Sequence, residues 1–501
     1  MPQRPHIVLF NPDHYRGDVL GHLGDPAART PNLDRVVAEE GVSFSRTFCQ
    51  NPVCTPSRCS FMSGWYPHVR GHRTMAHLMH PDEPVLLETL KDAGYWVWWG
   101  GKNDLVAGQL GTADYCDVRY SPPVPGLRRE DRTPESQWRG RPGDDTYYSF
   151  FQGKTELLDG EEVFWDSDQA NVSGAVDLIR EAPSGRPLCI YLPLLFPHLP
   201  YAVEDPWFSL IDRDAIPARV PTPEPGAGKP VIEERLRANY GMESWSDERW
   251  RELKAVYYGM CARIDSQVGM VVDALKSRGM WEETLFLFFS DHGEYAGDYG
   301  LIDINQNTFE DSLTNVPLVV KPPSGAAVRR NEHPAVQPGV RDDLVELLDI
   351  VATVEELTGL SLPEDHFSRS LVPLFAGGRN GAHRDAVFCE GGRRYGELQC
   401  AELEVGKALR PDGHYYPRLR TQRSDGPEHG KAVMCRTTTH KYVRRLYEQD
   451  ELYDLVNDPA ELVNVIDDPD YADVRAELKD RLLSFFLETG DVVPRHIDRR
   501  D

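Results

Sequence analysis

Residues 285–292 read Leu-Phe-Leu-Phe-Phe-Ser-Asp-His, five apolar side chains followed at once by three polar ones. Three other apolar runs also lead into polar residues: Ile7–Phe10, Tyr95–Trp99 and Leu188–Leu195. Continuous apolar runs of this length, with helix-like stretches between them, are typical of parallel strands that are covered on both faces. The sequence therefore predicts an α/β fold with a mostly parallel sheet sandwiched between helices.

Polar side chains follow each run at the point where the predicted strand ends. Asp13 lies shortly after the first run, Lys102 after the second, His198 after the third, and Asp291 and His292 after the fourth. Open parallel sheets bind their ligands beyond the carboxyl ends of the strands. We therefore expect these five side chains to lie along one functional edge of the sheet.

The sequence pattern changes near Ala386, where short strand-like runs and turns replace the alternation of apolar strands and helix-like stretches. This part closes with the strand-like Leu452–Leu455 and a helix-like stretch from Ala472 to Leu487. A chain of 501 residues is long enough for one large domain and a smaller one. We predict a catalytic domain over residues 1–380 and a smaller C-terminal α+β domain over residues 381–501.

The composition excludes several classes of protein. A net charge of −25 disfavours nonspecific binding to nucleic acid or to an anionic membrane, and no apolar run is long enough to span a bilayer. Nine cysteines are scattered without paired metal-ligand spacing, which is typical of reduced thiols in a cytosolic enzyme. Because the sequence starts without a basic and apolar leader, we expect a cytoplasmic protein with no nucleic-acid or membrane partner.

Two carboxylates and an imidazole at one sheet edge make a candidate metal site. Carboxylate oxygens are hard ligands and imidazole binds many divalent ions, so Asp13, Asp291 and His292 are candidate ligands of one divalent cation. Asp-His-Gly alone is a common tripeptide. Its position after an apolar strand, in a chain whose first strand also leads into Asp13, gives it weight.

Residues 54–58 read Cys-Thr-Pro-Ser-Arg. Pro56 suits the first turn of a helix, where its missing N–H costs nothing, so Cys54 is expected at a helix N-terminus. Free backbone N–H groups, the helix dipole and Arg58 one turn further on would all attract an anion. The segment predicts a site for an oxyanion ester, with a buried thiol at an ordinary helix start as the alternative.

The segment Cys54–Gly64 resembles the signature of the type I sulfatases, in which the cysteine is oxidised to formylglycine. Further motifs in matching order extend the resemblance to the sulfatase and alkaline phosphatase-like superfamily over most of the chain. These motifs are Ile7–Asp18, Arg29–Asp34, Tyr66–His68, Gly94-Tyr95 with Gly101-Lys102, Pro197–Tyr201, Ser290–Glu294, and Glu451–Leu455 with Asp458-Pro459.

The resemblance implies a metal-assisted reaction on a formylglycine nucleophile, which a maturation enzyme would make from Cys54. One divalent cation would be bound by residue 54 together with Asp13, Asp291 and His292. The cation would lower the pKa of a hydroxyl of the hydrated aldehyde and bind an oxygen of the ester. Calcium is the family default, and the histidine ligand adds weight to manganese.

Four other residues receive roles from the resemblance. Arg58 would hold formylglycine and offset charge on the ester oxygens, and Lys102 would contact the sulfuryl oxygens. His198, near the leaving group, would act as the general acid. His72 is a candidate for lining the substrate pocket, with an exposed basic turn as the alternative. An ordinary surface lysine and a turn-capping histidine are the alternatives for Lys102 and His198.

The chain departs from the common sulfatase pattern at four positions. Pro12 stands where many members have the first of two aspartates and His292 where many have asparagine, which is closer to the choline-sulfatase and phosphonate monoester hydrolase branch. Asp104 and Asn305 stand where histidine and lysine are usual, so the pocket loses positive charge and gains a carboxylate. We take both as substrate-binding candidates, with Asp104 selecting a cationic or hydroxyl-rich leaving group.

The leading interpretation is hydrolysis of a sulfate monoester of a small molecule or a saccharide. A phosphonate monoester or phosphodiester hydrolase on the same fold is the first alternative, since these reactions share metal, nucleophile and anion pocket. An inactive binder of sulfated ligands is the second, although a pure binder needs no formylglycine precursor. The tail segment Val492-Val493-Pro494 is a candidate contact in a homo-oligomer.

Overall fold

The protein is described here by a computed structural model. The described residues are 4–122, 133–182, 185–324, 335–377, 382–401, 410–424, 426–494 and 499–500. The predicted domain boundary at residues 380 and 381 lies outside these described residues.

A large mixed sheet forms the centre of the molecule. Among the described residues, nine strands belong to it, in the order β11-β2-β10-β8-β1-β6-β3-β4, with β9 paired to β2. Their bounds are β1 His6–Asn11, β2 Val42–Phe48, β3 Trp96–Gly100, β4 Val118–Tyr120, β6 Leu188–Pro193, β8 Thr284–Phe289, β9 Asn315–Val316, β10 Leu318–Lys321 and β11 Gly339–Glu346. Strand β1 is parallel to both β6 and β8, β3 is parallel to β6 and β4, and only the pairs made by β9 and β10 are antiparallel.

Helices cover both faces of this sheet. Among the described residues, the helices of the chain up to residue 360 are α1 Pro31–Glu39, α2 Cys54–Ser63, α3 Pro67–Arg70, α4 Leu86–Asp92, α5 Glu135–Trp138, α6 Ser167–Arg180, α7 Trp207–Leu210, α8 Val231–Tyr240, α9 Asp247–Ser277, α10 Asp311–Thr314 and α11 Asp349–Thr358. Alternate residues of β1 enter two separate cores: Val8 and Phe10 pack with α9, whereas Ile7 and Leu9 pack with α2 and α11. A strand buried on both faces reads as a continuous apolar run, which is why the sequence indicated these strands. The predicted α/β sandwich is confirmed.

The C-terminal part is a separate, smaller α+β layer. Strands β12 Val387–Gly391, β13 Ala432–Arg436, β14 His440–Arg445 and β15 Glu451–Asp454 form an antiparallel sheet, accompanied by α12 Tyr416–Gln422 and α13 Ala472–Thr489. Phe485 of α13 stacks on Phe388 of β12 with ring centroids 4.0 Å apart. The smaller C-terminal α+β layer is as predicted.

A further two-stranded sheet belongs to the earlier part of the chain and pairs β5 Phe151–Thr155 with β7 Tyr201–Glu204.

A buried group of charges joins the two layers, and we call it the junction cluster: Tyr66, Glu346, Asp349, His383 and Arg384. The Arg384 guanidinium lies 2.8 Å from a Glu346 oxygen and donates to Asp349 Oδ2 at 2.9 Å. Tyr66 donates to Glu346 Oε2 at 2.6 Å. Because Glu346 ends β11 and Arg384 precedes β12, this cluster fixes the small sheet against the large one.

All nine cysteines are buried and free. That these thiols are reduced in the cell stays a prediction. Among the described residues, no helix has the length and apolar character required to cross a bilayer.

Candidate active site

The carboxyl ends of four parallel strands meet at one edge of the large sheet. Asp13 follows β1, Lys102 follows β3, His198 follows β6, and Asp291 with His292 follow β8. Strand β1 lies between β6 and β8 in the sheet, so the predicted candidates are brought to one place. Ser290 helps to hold them there, because its hydroxyl accepts the Tyr15 N–H at 2.9 Å and donates to the Pro12 carbonyl at 3.1 Å.

Helix α2 begins at Cys54, and its N-terminus points into this edge. Val53 before it is extended, and Gly64 after it adopts the left-handed conformation (φ 73°) that glycine tolerates best. All ten residues of the helix are buried, so a rigid element carries Cys54. The Ser57 hydroxyl ties the helix to the other side of the site by donating to the Asp291 carbonyl at 2.6 Å.

Four buried side chains converge beside the start of α2, and we call them the Cys54 cluster: Asp13, His14, Cys54 and His292. Their candidate ligand atoms all lie within 4.8 Å of one another. His292 Nε2 is 3.2 Å from Cys54 Sγ and 3.3 Å from Asp13 Oδ1, and the sulfur is 3.5 Å from the same oxygen. Ligands at about 2.0–2.3 Å from one ion stand roughly 3–3.5 Å apart. The residues therefore fit one metal ion.

His14 is a member of this cluster that sequence reasoning missed. The signal was its position directly after Asp13, but alternation along a strand would point the two side chains in opposite directions. The backbone of His14 has φ 63°, a conformation that breaks the alternation. This turn brings the His14 ring to 4.5 Å from the His292 ring, centroid to centroid.

Arg58 lies one turn along α2 and is fully buried. Its Nε donates to Asp291 Oδ2 at 2.9 Å, and its Nη1 donates to Asn11 Oδ1 at 3.0 Å. The predicted metal ligand Asp291 is thus ion-paired with Arg58, while its Oδ2 lies 3.9 Å from His292 Nε2. Asp291 borders the Cys54 cluster rather than being one of its four closest groups.

Lys102 approaches the Cys54 cluster from β3. Its ammonium group forms an ion pair with Asp13 and another with Asp104 Oδ2 at 2.9 Å, and it lies 4.0 Å from Cys54 Sγ. Asp104 Oδ2 is also 3.9 Å from Arg58 Nε. The Asp104 carboxylate therefore faces the two cations expected to bind an anionic ester.

The pKa values of the Asp13 carboxyl and the Cys54 thiol are shifted in opposite directions. Burial raises the pKa of Asp13, but Lys102, His14, Arg58 and His292 together hold that pKa well below its usual value. Burial and the adjacent Asp13 carboxylate raise the pKa of the Cys54 thiol well above its usual value. Asp13 is therefore ionised and ready to bind a cation, whereas Cys54 stays a protonated thiol.

His198 lies beside the Cys54 cluster, with its ring centroid 4.2 Å from that of His14. Its Nδ1 is 2.8 Å from the Leu199 carbonyl oxygen, so Nδ1–H donates there and Nε2 is left for other partners. Burial lowers the pKa of His198 to about 4, with Lys102 contributing. Without a bound ligand, the His198 ring is neutral near pH 7. A negatively charged ligand beside the ring would be needed to keep it protonated.

Two predicted substrate-binding residues make their contacts outside the Cys54 cluster. His72 lies 2.8 Å from the His77 carbonyl through Nδ1 and 3.0 Å from Glu83 Oε2 through Nε2, so its turn is held by internal contacts. Asn305 is buried and donates to Asn307 Oδ1 at 2.7 Å. In the part of the chain that the structure describes, neither residue makes a hydrogen bond or ion pair with the Cys54 cluster.

Comparisons with known proteins identify the family of this chain. A family model described as Sulfatase matches residues 5–360. The multifunctional alkaline phosphatase superfamily protein PehA of Trinickia caryophylli is 24% identical over 98% of this chain and 97% of its own length. The choline-sulfatase of Rhizobium meliloti (strain 1021) is 25% identical over 99% of this chain and 90% of its own length.

A solved structure shows the same fold. The phosphonate monoester hydrolase of Agrobacterium radiobacter superposes with a TM-score of 0.70 at 23% identity, covering 99% of this chain and 100% of that chain. The family match spans well over half of the sequence and includes the whole sheet edge described above. The chain therefore belongs to the sulfatase family.

Proposed function

We propose that this protein hydrolyses a sulfate monoester, with formylglycine made from Cys54 as nucleophile and one divalent cation bound beside it. The observation that carries the proposal is the position of Cys54 at the buried start of α2, between Asp13 and His292. A protonated thiol in this place is a poor nucleophile, because the thiolate is the reactive form. Formylglycine would supply a hydrated aldehyde whose hydroxyl attacks without a thiolate.

The positive groups around residue 54 suit a sulfuryl group. Arg58, Lys102 and the free N–H groups of α2 surround the position, and such preorganised donors stabilise charge that develops on ester oxygens. The metal ligands we propose are Asp13 and His292 with residue 54, and Asp291 beside them. The cation, calcium or manganese, would act as a Lewis acid and favour the ionised form of the attacking hydroxyl.

His198 is the proposed general acid for the leaving group. It is neutral in the free protein because burial lowers its pKa to about 4. A bound sulfate ester brings negative charge next to the ring and offsets the charge of Lys102, which favours the protonated imidazole. His198 would then hold a proton at Nε2 for the departing oxygen, since Nδ1 is committed to Leu199.

A phosphonate monoester hydrolase is the second candidate function. It is favoured by the combination of one aspartate after β1 with His292 after β8, and by the full-length similarity to PehA and to a phosphonate monoester hydrolase. A phosphonate monoester presents a similar group of anionic oxygens to the same metal and cations. The leaving group and the central atom are what the two activities do not share.

The test compares substrates on matured protein. The chain is produced with and without a formylglycine-generating enzyme, and the peptide containing residue 54 is analysed by mass spectrometry. Conversion lowers its mass by the difference between H₂S and one oxygen atom. Values of kcat/KM are then measured for an aryl sulfate and for the matching aryl phosphonate monoester.

We expect sulfatase activity only in the converted sample, with the sulfate ester preferred. A preference for the phosphonate by orders of magnitude would transfer the proposal to the second candidate. Full activity with an unconverted Cys54 would end the formylglycine mechanism. An inactive converted protein that binds sulfated ligands would indicate the binding protein considered from the sequence.

We also propose a cellular location and partners for this protein. The eight free thiols other than Cys54 suit a reducing compartment, so we place the protein in the cytoplasm. The partners would be a formylglycine-generating enzyme and a small or saccharide sulfate ester. Subcellular fractionation of the native host tests the location directly, and recovery outside the cytoplasm would overturn it.

A further inference from the structure

Asp168, the second residue of α6, carries a buried carboxylate that the proposed mechanism does not use. The residue is only 2% exposed. The Phe196 N–H donates to its Oδ2 at 2.7 Å, and the Leu195 N–H donates to the same carboxylate, with 2.9 Å to each oxygen. Asp168 therefore binds the first two residues of the turn that leads from β6 to His198.

We call this turn the His198 turn: Leu195, Phe196, Pro197 and His198. It has three backbone N–H groups, because proline has none. Two of them donate to Asp168, and the third, from His198, donates to the Leu195 carbonyl at 2.9 Å. Buried backbone N–H groups need partners, so one carboxylate supplies most of what this turn requires.

The His198 turn holds two groups of the proposed active site. It ends at His198, the proposed general acid, whose ring follows the backbone of the turn. The Phe196 carbonyl also accepts the backbone N–H of Asp13 at 3.1 Å. A shift of the turn would therefore move the imidazole and Asp13 relative to the substrate. Misplacement by about 1 Å can reduce turnover by about 10²-fold.

The ionised form of Asp168 is the one that accepts both N–H groups. Burial and the nearby Asp166 raise the pKa of Asp168 to about 6, although the two N–H bonds and Arg263 act in the opposite direction. The Arg263 guanidinium donates to Asp166 at 2.8 Å and to Glu204 at 2.7 Å. Asp168 is therefore a carboxylate at pH 8, and hydrogen bonds to an ionised acceptor are about twice as strong as neutral ones.

Asp265 of α9 shows the same arrangement at a structural position. It is 1% exposed, and it accepts the N–H groups of Asn32 at 3.0 Å and Leu33 at 2.9 Å. Burial raises its pKa to about 6 as well. These two N–H groups belong to the first turn of α1, where every helix leaves N–H groups unpaired. Asp168 differs because its N–H groups belong to a turn that carries the proposed general acid.

We propose that Asp168 is a positioning residue, which fixes the His198 turn so that His198 Nε2 faces the leaving oxygen of the ester. The inference rests on the proposed function and deepens it by adding a residue that does not touch the substrate. A carboxylate suits this position because both of its oxygens are acceptors. An asparagine amide would place its own N–H group against a backbone N–H of the turn and loosen it.

The test measures how the loss of activity depends on the leaving group. Matured wild type and Asp168→Asn are compared at pH 8 on aryl sulfates, from nitrophenyl sulfate to phenyl sulfate. A poorer leaving group depends more on the proton from the general acid. We expect kcat/KM to fall about tenfold for nitrophenyl sulfate and at least about 10²-fold for phenyl sulfate. If the protein prefers phosphonates, the same aryl groups are tested as phosphonate monoesters.

Control variants separate positioning from stability. Asp265→Asn is the matched control, because it changes an equally buried carboxylate with the same kind of partners and should leave kcat/KM unchanged for every ester. His198→Ala should show the same dependence on the leaving group, and adding Asp168→Asn to it should cost little more. Rates are divided by the fraction of residue 54 that is converted. Asp168→Ser replaces Asp168→Asn if melting shows that the asparagine variant does not fold.

A loss in Asp168→Asn that is equal for all leaving groups would overturn the inference, because a merely structural role predicts it. Full additivity of Asp168→Asn and His198→Ala would do the same. If His198→Ala shows no dependence on the leaving group, His198 is not the general acid, and that step of the proposed function fails together with this inference. If only Asp168→Asn lacks the dependence, the proposed function stands without this positioning residue.

Discussion

The junction cluster and the Cys54 cluster are both buried groups of charged side chains, but they are built differently. In the junction cluster the donors match the acceptors: Arg384 and the backbone N–H of Arg369 reach Asp349, and the backbone N–H of Phe388 reaches Glu346. In the Cys54 cluster, Asp13, Cys54 and the imidazoles face one another, and His14 Nε2 has no hydrogen bond. The first set of contacts is complete without a ligand.

The difference teaches which buried charges stabilise the fold and which serve chemistry. A satisfied network resists the loss of any member, since removing one leaves a buried charge unpaired. In a preformed metal site the ligands stabilise one another little, and their bonding is completed only when the metal binds. Variants of the two clusters should therefore affect different measurements, and the following experiments examine that separation.

The largest effect is expected at Cys54. Cys54→Ala should lower kcat/KM for a sulfate ester by at least about 10⁴-fold, equivalent to about 5.4 kcal/mol of transition-state stabilisation, because the nucleophile is lost. Its melting temperature should stay close to that of the wild type. Cys59→Ala is the matched control, a buried cysteine of the same helix that should keep most of the activity. A Cys54→Ala enzyme with near-normal turnover would refute the assigned nucleophile.

The junction cluster should give the opposite result. Arg384→Met leaves Glu346 and Asp349 without their cation, so the free energy of unfolding should fall by about 3–5 kcal/mol. Activity per folded molecule should be retained, and urea unfolding at 25 °C provides the measurement. The matched control is Arg481→Met, which breaks an ion pair with the exposed Asp385 and should cost no more than about 1 kcal/mol. Equal losses in the two variants would contradict the comparison.

A smaller effect is expected at the rim of the Cys54 cluster. Asp104 is ion-paired with Lys102 and close to Arg58. Asp104→Asn should change the ratio of kcat/KM between cationic and neutral sulfate esters by about tenfold, because one charge at a few ångströms contributes of order 1–2 kcal/mol. Turnover of cationic, neutral and anionic esters is compared in both enzymes. Equal selectivity in the wild type and in Asp104→Asn would mean that Asp104 interacts with Lys102 but does not select the leaving group.

The smallest effect concerns a pH-dependent contact between the layers. Burial lowers the pKa of His68, but the hydrogen bond to Glu390 outweighs it and raises that pKa above its ordinary value of 6.5. A raised pKa in the folded state stabilises the protein below pH 6.5, and this contribution disappears as the pH rises through the folded pKa. His68→Gln should therefore cost about 1 kcal/mol at pH 6 and less at pH 9, measured by urea unfolding. A constant cost at both pH values would show that only packing is lost.

Much of the fold was predictable because its strands are buried on both faces. The apolar runs marked β1, β3, β6 and β8 to within a residue or two at most ends, and Pro56 marked the start of α2. The resemblance to the sulfatases is confirmed by the family match. These features are local in sequence, so composition and order were sufficient to find them.

The parts that the sequence did not predict depend on tertiary contacts. His14 turns inward only because Tyr257, Ser290 and Glu294, all distant in sequence, constrain it. His72 was predicted from the sequence as a pocket-lining candidate, and its contact with Glu83, eleven residues later, could not be read from the sequence. The roles of the individual site residues stay predictions until the substrate experiments are done.

The burial of α2 has a consequence for how the enzyme would be made. Cys54 is 3% exposed and every residue of its helix is covered by the fold, so a second protein has no access to the thiol once the chain has folded. Under the proposed function, formylglycine must be installed while residues 54–58 are still extended, during or just after synthesis. A molecule that folds before residue 54 is converted would be stable and well packed but would remain inactive.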